Sequence, residues 1–145
     1  MRKGRVSVAG ASYFITINAH ERKPIFVHKT AATLISNSLF LLENEGIISI
    51  HAYVVMPEHL HVIFKITERI ELGKILRMFK SFTGKELSKI IGGVPVWQDG
   101  FYDHCIKDEE DFRNCLDYVI NNPVKRNLVK YAQDYEFLFV KNKKA

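Results

Sequence analysis

Hydrophobic and polar positions along the chain follow two rhythms, and the switches between them mark its elements. Side chains on a strand alternate between faces, whereas those on a helix return to one face roughly every three to four residues. Tyr13-Phe14-Ile15-Thr16-Ile17-Asn18 is rich in β-formers and reads as a first strand, after a loose basic lead-in over about residues 1–10. A connection containing Pro24 follows. From Thr30, a suitable N-cap, Leu34, Ile35, Leu39 and Leu42 keep helical spacing until Gly46 stops them. Residues 47–55 and 59–66 read as second and third strands joined across Met56-Pro57-Glu58.

A second helix is expected over about residues 70–91. Leu72, Ile75, Leu76, Phe79 and Leu87 line one side, Lys74, Arg77, Lys80, Ser81 and Lys85 the other. Residues 94–98 and 101–106 flank Asp99-Gly100, a short hairpin signal. Asp108 caps a third helix whose first turn is acidic and whose apolar stripe is Phe112, Cys115, Leu116, Val119 and Ile120. Pro123 is expected to end it, because the residue before a proline is pushed out of helical geometry. A basic segment over 124–129 and an edge strand within 135–140 precede a basic end over 141–145. The order β-α-β-β-α-β-β-α predicts a single α+β domain spanning 1–145: one antiparallel sheet with helices packed mainly on one face.

Composition narrows the class. The chain has 145 residues, 47% hydrophobic and 26% charged, which suits one globular domain with its own core. No apolar run approaches the ~20 residues needed to span a bilayer, and no apolar stretch follows the charged N-terminus as in a signal peptide. A soluble cytoplasmic chain is expected. Cys105 and Cys115 lack CxxC spacing, which points to reduced thiols, with neither a disulfide framework nor a Cys-based zinc site. A net charge of +5 leans toward a polyanionic partner without requiring one.

Candidate chemistry falls in two segments. His59 and His61 are two apart on a strand, so both point to one face, away from Leu60, Val62 and Phe64. Two imidazoles so placed can converge on one metal ion, or can simply be the polar side of a half-buried sheet. On the third helix Tyr118 and Asn122 are four apart and therefore neighbours. A phenol can be a nucleophile and a carboxamide oxygen a metal ligand. The same pair also fits a half-buried helix tyrosine and an ordinary terminator, and no spacing rule demands that the two segments meet. His51, sharing a strand face with Ser49 and Tyr53, is read as structural. The Lys80 and Lys85 stripe suits phosphates, though spacing alone favours a solvated helix face.

Resemblance adds what spacing leaves open. Tyr53-Val54-Val55-Met56-Pro57-Glu58-His59-Leu60-His61, then Trp97-Gln98-Asp99-Gly100-Phe101-Tyr102, then Tyr118-Val119-Ile120-Asn121-Asn122-Pro123-Val124-Lys125 resemble the REP-associated tyrosine transposases, single-tyrosine HUH enzymes related to the transposases of small bacterial insertion sequences. The resemblance spans roughly residues 10–140. Glu58 departs mildly from it, standing where Asn or Asp is common.

The resemblance implies a ferredoxin-like or RRM-like HUH nuclease fold and a metal-dependent single-stranded DNA endonuclease and strand transferase. His59, His61 and Asn122 would hold a divalent ion, Mg²⁺ or Mn²⁺, and Tyr118 would attack the scissile phosphate to leave a 5′-phosphotyrosine link at hairpin-forming repeat DNA. Two imidazoles suit Mn²⁺ better than Mg²⁺, which prefers oxygen. Lys80, Lys85, Trp97, Phe101, Tyr102, His104, Lys125 and Arg126 are the candidate DNA contacts, the aromatics by stacking on unpaired bases and the cations by meeting phosphates. Partners are then single-stranded or hairpin DNA, with the chain a monomer or a homodimer. Two other readings are a non-catalytic hairpin DNA- or RNA-binding protein of the same fold and, more distantly, a small zinc hydrolase.

Overall fold

Strand register decides which side chains share a face here. In the computed structural model, which describes residues 9–141, the strands are β1 (Ser12–Asn18), β2 (Ile48–Met56), β3 (His59–Ile66), β4 (Tyr102–Cys105) and β5 (Leu138–Val140). They form one sheet in the order β4-β1-β3-β2-β5, with every neighbouring pair antiparallel. The α-helices are α1 (Lys29–Asn44), α2 (Leu72–Ile91) and α3 (Glu109–Lys125). This is the expected α+β architecture. The expected loose ends, about 1–10 and 141–145, lie mostly outside the described residues.

Tyr13, Ile15 and Ile17 of β1 and Leu60, Val62 and Phe64 of β3 are buried in one cluster with Ile35 and Leu39 of α1 and Ile75, Leu76 and Phe79 of α2. The alternate residues Phe14, Ala52, Val54, Met56 and Ile63 form a smaller cluster with Val119 of α3. Two helices thus cover one face, and the third crosses the other. Each fully buried aliphatic side chain contributes about 1.5–3 kcal/mol, so the first cluster holds the domain together. The smaller one fixes where α3 lies.

Three local expectations need correction. The pairing of β2 with β3 shifts between Ile50 and Ala52, a bulge that resets the alternation. Ile50 and Tyr53 therefore both enter the main core, while Ala52 and Val54 enter the other. His51 does not share a face with Tyr53; its Nε2 lies 3.1 Å from Ser12 Oγ and its ring 5.1 Å from that of Phe112.

Residues 94–98 do not form a hairpin with β4. Instead, Trp97 bridges Ala19 and the Gln98 N–H donates to the Asn18 carbonyl. The chain runs along one edge of β1 from Trp97 to Cys105 and bows outward at residues 98–101. Gly100 takes φ +79° in that bow, and Lys80 Nζ donates to the carbonyls of Gln98 and Gly100, both at 2.8 Å. Exposed strand edges need partners, and the long edge of β1 takes both segments.

Pro123 does not end α3, which runs on to Lys125. A proline one turn from a helix end removes few intrahelical bonds. The last carbonyls are closed by Arg126 N–H to Asn122, Asn127 N–H to Val124 and Leu128 N–H to Pro123, with Asn127 at φ +61°. The N-terminus behaves as expected, with the Asp108 carboxylate accepting from the Asp111 N–H at 2.8 Å.

Candidate active site

The start of β3 presents both histidines to the α3 side of the sheet. Their ring centroids lie 4.5 Å apart, and both residues are nearly sealed, at 5% and 4% exposure. Burial pushes the His59 imidazole down to about 4, outweighing the Glu58 carboxylate that favours protonation. Burial, with His59 and Arg22 adding to it, pushes His61 down to about 3. Both rings are therefore neutral at pH 7, the form that offers a lone pair to a metal.

Each ring has a polar neighbour. Thr16 of β1, directly opposite His61 in register, shares a 2.8 Å hydrogen bond between its Oγ1 and His61 Nδ1. A proton on Nδ1 donated to Thr16 leaves the Nε2 lone pair facing outward. His59 Nδ1 lies 3.3 Å from Glu58 Oε1, within ion-pair reach but without completing a hydrogen bond. Burial raises the Glu58 carboxyl, yet its bond from Arg126 and a backbone hydrogen bond hold it below the usual carboxylate range. Arg126 Nη2 donates to Glu58 Oε2 at 2.6 Å, tying the end of α3 to the β2–β3 turn.

Tyr118 and Asn122 arrive from α3. The Tyr118 ring lies 5.2 Å from that of His61 and 5.9 Å from that of Phe14, and it remains 49% exposed. Asn122 is buried. Its Oδ1 and His61 Nε2 are both buried without a hydrogen-bond partner. Such atoms cost roughly 1–3 kcal/mol each when left unpaired, so their persistence needs a reason. Two neutral imidazoles and a carboxamide oxygen fit a divalent ion as a donor set, with Mn²⁺ better matched than Mg²⁺. Phe14, Thr16, Asn18, Arg22, His59, His61, Tyr102 and Tyr118 enclose an open cleft of about 440 Å³.

The other expected contacts divide. Tyr102 is exposed on the cleft wall, and Phe101 lines an adjoining hollow with Thr16, Asn18 and Gln98. Lys125 is exposed on the last turn of α3. Lys85, with Lys80 and Trp97, lines a groove along α2 that shares Gln98 and Asp99 with that hollow. Lys80 is committed to the bow carbonyls, and Arg126 to Glu58. Trp97 turns its ring toward Phe26 and Phe79 and donates its Nε1–H to Thr83 Oγ1 at 2.9 Å, a core position rather than a stacking surface.

His104 Nε2 lies 2.9 and 2.8 Å from the two Asp111 oxygens, outside the cleft. With Cys115 these side chains place ligand atoms within 4.8 Å of one another. Asp111 also accepts from the Lys107 N–H, and burial pushes the Cys115 thiol up to about 11, so the group reads as a joint between β4 and α3. Sequence reasoning missed Thr16, Glu58 and Arg22 as parts of the site. Only Thr16 carried a signal, since it alternates with Phe14 and Asn18 on β1.

An α+β sheet domain with paired imidazoles and a half-exposed phenol along one cleft, and a buried carboxamide one helical turn beyond that phenol, defines a narrow class of protein. The chain belongs to the family described as Transposase IS200 like, whose profile matches residues 7–122. It is similar to the REP-associated tyrosine transposase of Escherichia coli K12, with 28% identity over 134 residues, 92% of this chain and 78% of that protein. Its fold matches a solved REP-associated tyrosine transposase bound to a REP hairpin, with TM-score 0.78 and 27% identity, covering 95% of this chain and 81% of that one. A solved Deinococcus radiodurans protein shares the fold at TM-score 0.59 and 19% identity, covering 84% of this chain and 97% of that one. No helix among the described residues is long and apolar enough to cross a membrane.

Proposed function

We propose that this chain nicks and rejoins single-stranded DNA at hairpin-forming repeats, using Tyr118 as nucleophile and a divalent ion held by His59, His61 and Asn122. One observation carries the reading: the half-exposed Tyr118 ring stands 5.2 Å from His61 in the cleft, while His61 Nε2 and Asn122 Oδ1 remain buried without partners. When bound, the ion would supply Lewis-acid polarisation of a phosphate oxygen and a template for in-line displacement.

The chain's own groups do the rest. Thr16 holds the His61 imidazole in orientation, and the Glu58 carboxylate lies beside His59 Nδ1. The Tyr118 oxygen attacks phosphorus, forming the P–O(Tyr) bond as the P–O3′ bond breaks. The phenol proton passes to solvent in the open cleft, and the departing 3′ oxygen takes one up. This leaves a 5′-phosphotyrosine and a free 3′-OH, and attack by a 3′-OH reverses the step. Positioning and charge neutralisation supply most of the catalysis in such phosphoryl transfers.

Tyr102, exposed on the cleft wall, would stack on an unpaired base. The adjoining hollows, sharing first Thr16, Asn18 and Tyr102 and then Gln98 and Asp99, offer a track toward Lys85. The likeness to a transposase solved with a REP hairpin supports hairpin DNA as the partner. The test is incubation of an end-labelled oligonucleotide, carrying a hairpin and flanking single strand, with the protein and Mn²⁺, followed by denaturing electrophoresis. A covalent protein–DNA band is expected. A shift on native gels without that band would favour the non-catalytic binder.

A further inference from the structure

Arg22 stands on the cleft wall with His59, His61 and Tyr118, and it is 53% exposed in its side chain. Its backbone is the unusual feature. Glu21 and Arg22 both take left-handed conformations, at φ +54° and +56°, with no glycine or asparagine to ease them. Left-handed backbone at ordinary residues persists only where the surroundings impose it.

The surroundings do so here. Ala19 N–H donates to the Glu58 carbonyl, His20 N–H to Val96, Arg22 N–H to Ala19 and Lys23 N–H to His20. The turn is thereby stapled to the same β2–β3 turn that leads into His59. Its effect is to swing a guanidinium over the cleft rather than away from it.

Among the described residues that charge has only a long, shared ion pair. Glu58 Oε2 is already held by Arg126 at 2.6 Å, and it is the ion-pair partner of Arg22 only at 3.8 Å. The guanidinium instead shares the cleft with the two imidazoles and the phenol. A forked cation on one wall with a phenol and two imidazoles matches a tetrahedral anion.

We propose that Arg22 anchors the scissile phosphodiester, its guanidinium binding the non-bridging oxygens and neutralising charge on them as Tyr118 attacks. The assignment rests on the nuclease reading above and adds a residue that touches substrate.

Single-turnover cleavage of the hairpin oligonucleotide with Mn²⁺ tests it, comparing the parent chain with R22K, R22A and R22G. R22A is expected to slow cleavage by about 10²–10³-fold while still forming the Tyr118 adduct. R22K should fall between, keeping the charge but losing the fork. R22G should be as slow as R22A yet melt at a higher temperature, because glycine relieves the left-handed backbone. With a methylphosphonate at the scissile position, which lacks the charge that Arg22 would meet, the R22A penalty should largely vanish. An R22A chain cleaving at the parental rate, or a penalty undiminished on the methylphosphonate, overturns the role of Arg22 alone. A parent chain that never forms the covalent band overturns the nuclease reading and this assignment with it.

Discussion

The ring of Tyr118 on α3 meets that of His61 on β3 at 5.2 Å, edge to face, within one chain. The phenol and the imidazoles therefore need no second copy to come together.

If one chain suffices, Tyr118→Phe and His61→Ala variants should each lose cleavage and stay inactive when mixed. Tyr118→Phe should bind the oligonucleotide as tightly as the parent. Recovery of covalent product in the mixture, read by denaturing electrophoresis, would show that active sites are shared between copies.

Thr16 orients His61 through a single hydrogen bond of 2.8 Å. Losing such an orienting partner typically weakens metal affinity by about 10–100-fold. Thr16→Val keeps the shape and removes the hydroxyl. The Mn²⁺ concentration giving half-maximal cleavage should rise by about that factor, with the rate at saturating Mn²⁺ changed far less. An unchanged Mn²⁺ titration would count against this role of Thr16.

Glu58 and Arg126 join the β2–β3 turn to the end of α3 at 2.6 Å. Arg126 is 41% exposed in its side chain, so solvent screens the pair. A double-mutant cycle with Glu58→Gln and Arg126→Gln should give a coupling energy on the order of 1 kcal/mol. Urea unfolding measures it, and additive single effects would show that the contact contributes nothing.

Acid should destabilise the fold through the histidines. Folded His59 and His61 sit at about 4 and about 3, below the value of 6.5 for an unperturbed imidazole. As pH falls below about 6.5 the unfolded chain takes up these protons first, so stability present above that pH declines progressively toward 4 and 3. The loss is on the order of a few kcal/mol. Urea midpoints at pH 7.5, 6 and 5 should fall in that order, and the His59→Gln, His61→Gln double variant should flatten the decline.

Lys80 and Lys85 share a helix but not a role. Lys85 is exposed, whereas Lys80 Nζ holds the carbonyls of Gln98 and Gly100. Lys85→Ala should reduce the slope of log affinity against log salt for DNA by about one. Lys80→Met should leave that slope alone and speed amide exchange over residues 98–101. Equal slope changes for both would put both on the phosphates.

Much of this protein was legible in local pattern because the causes are local. Alternation put His59 and His61 on one face and Leu60, Val62 and Phe64 on the other, and Asp108 announced the start of α3. That Tyr118 would reach His61 was not legible from spacing. It followed from resemblance, because helix periodicity says which residues are neighbours and not which sheet face the helix will cover.

Tertiary structure decided whatever depended on long-range pairing and burial. The bulge after Ile50 sends Tyr53 into the main core, since register answers to both buried faces at once. Residues 96–98 pair with the edge of β1 although Asp99-Gly100 looks like a hairpin, because an open strand edge competes with any local turn. The left-handed turn at Glu21 and Arg22 has no glycine or asparagine behind it; it closes on its own bonds to Ala19 and His20, and those two residues are anchored in turn by Glu58 and Val96. The sequence by itself determined which elements form and which face the histidines take, through interactions a few residues in reach. The company those histidines keep was settled only when distant segments closed over the sheet.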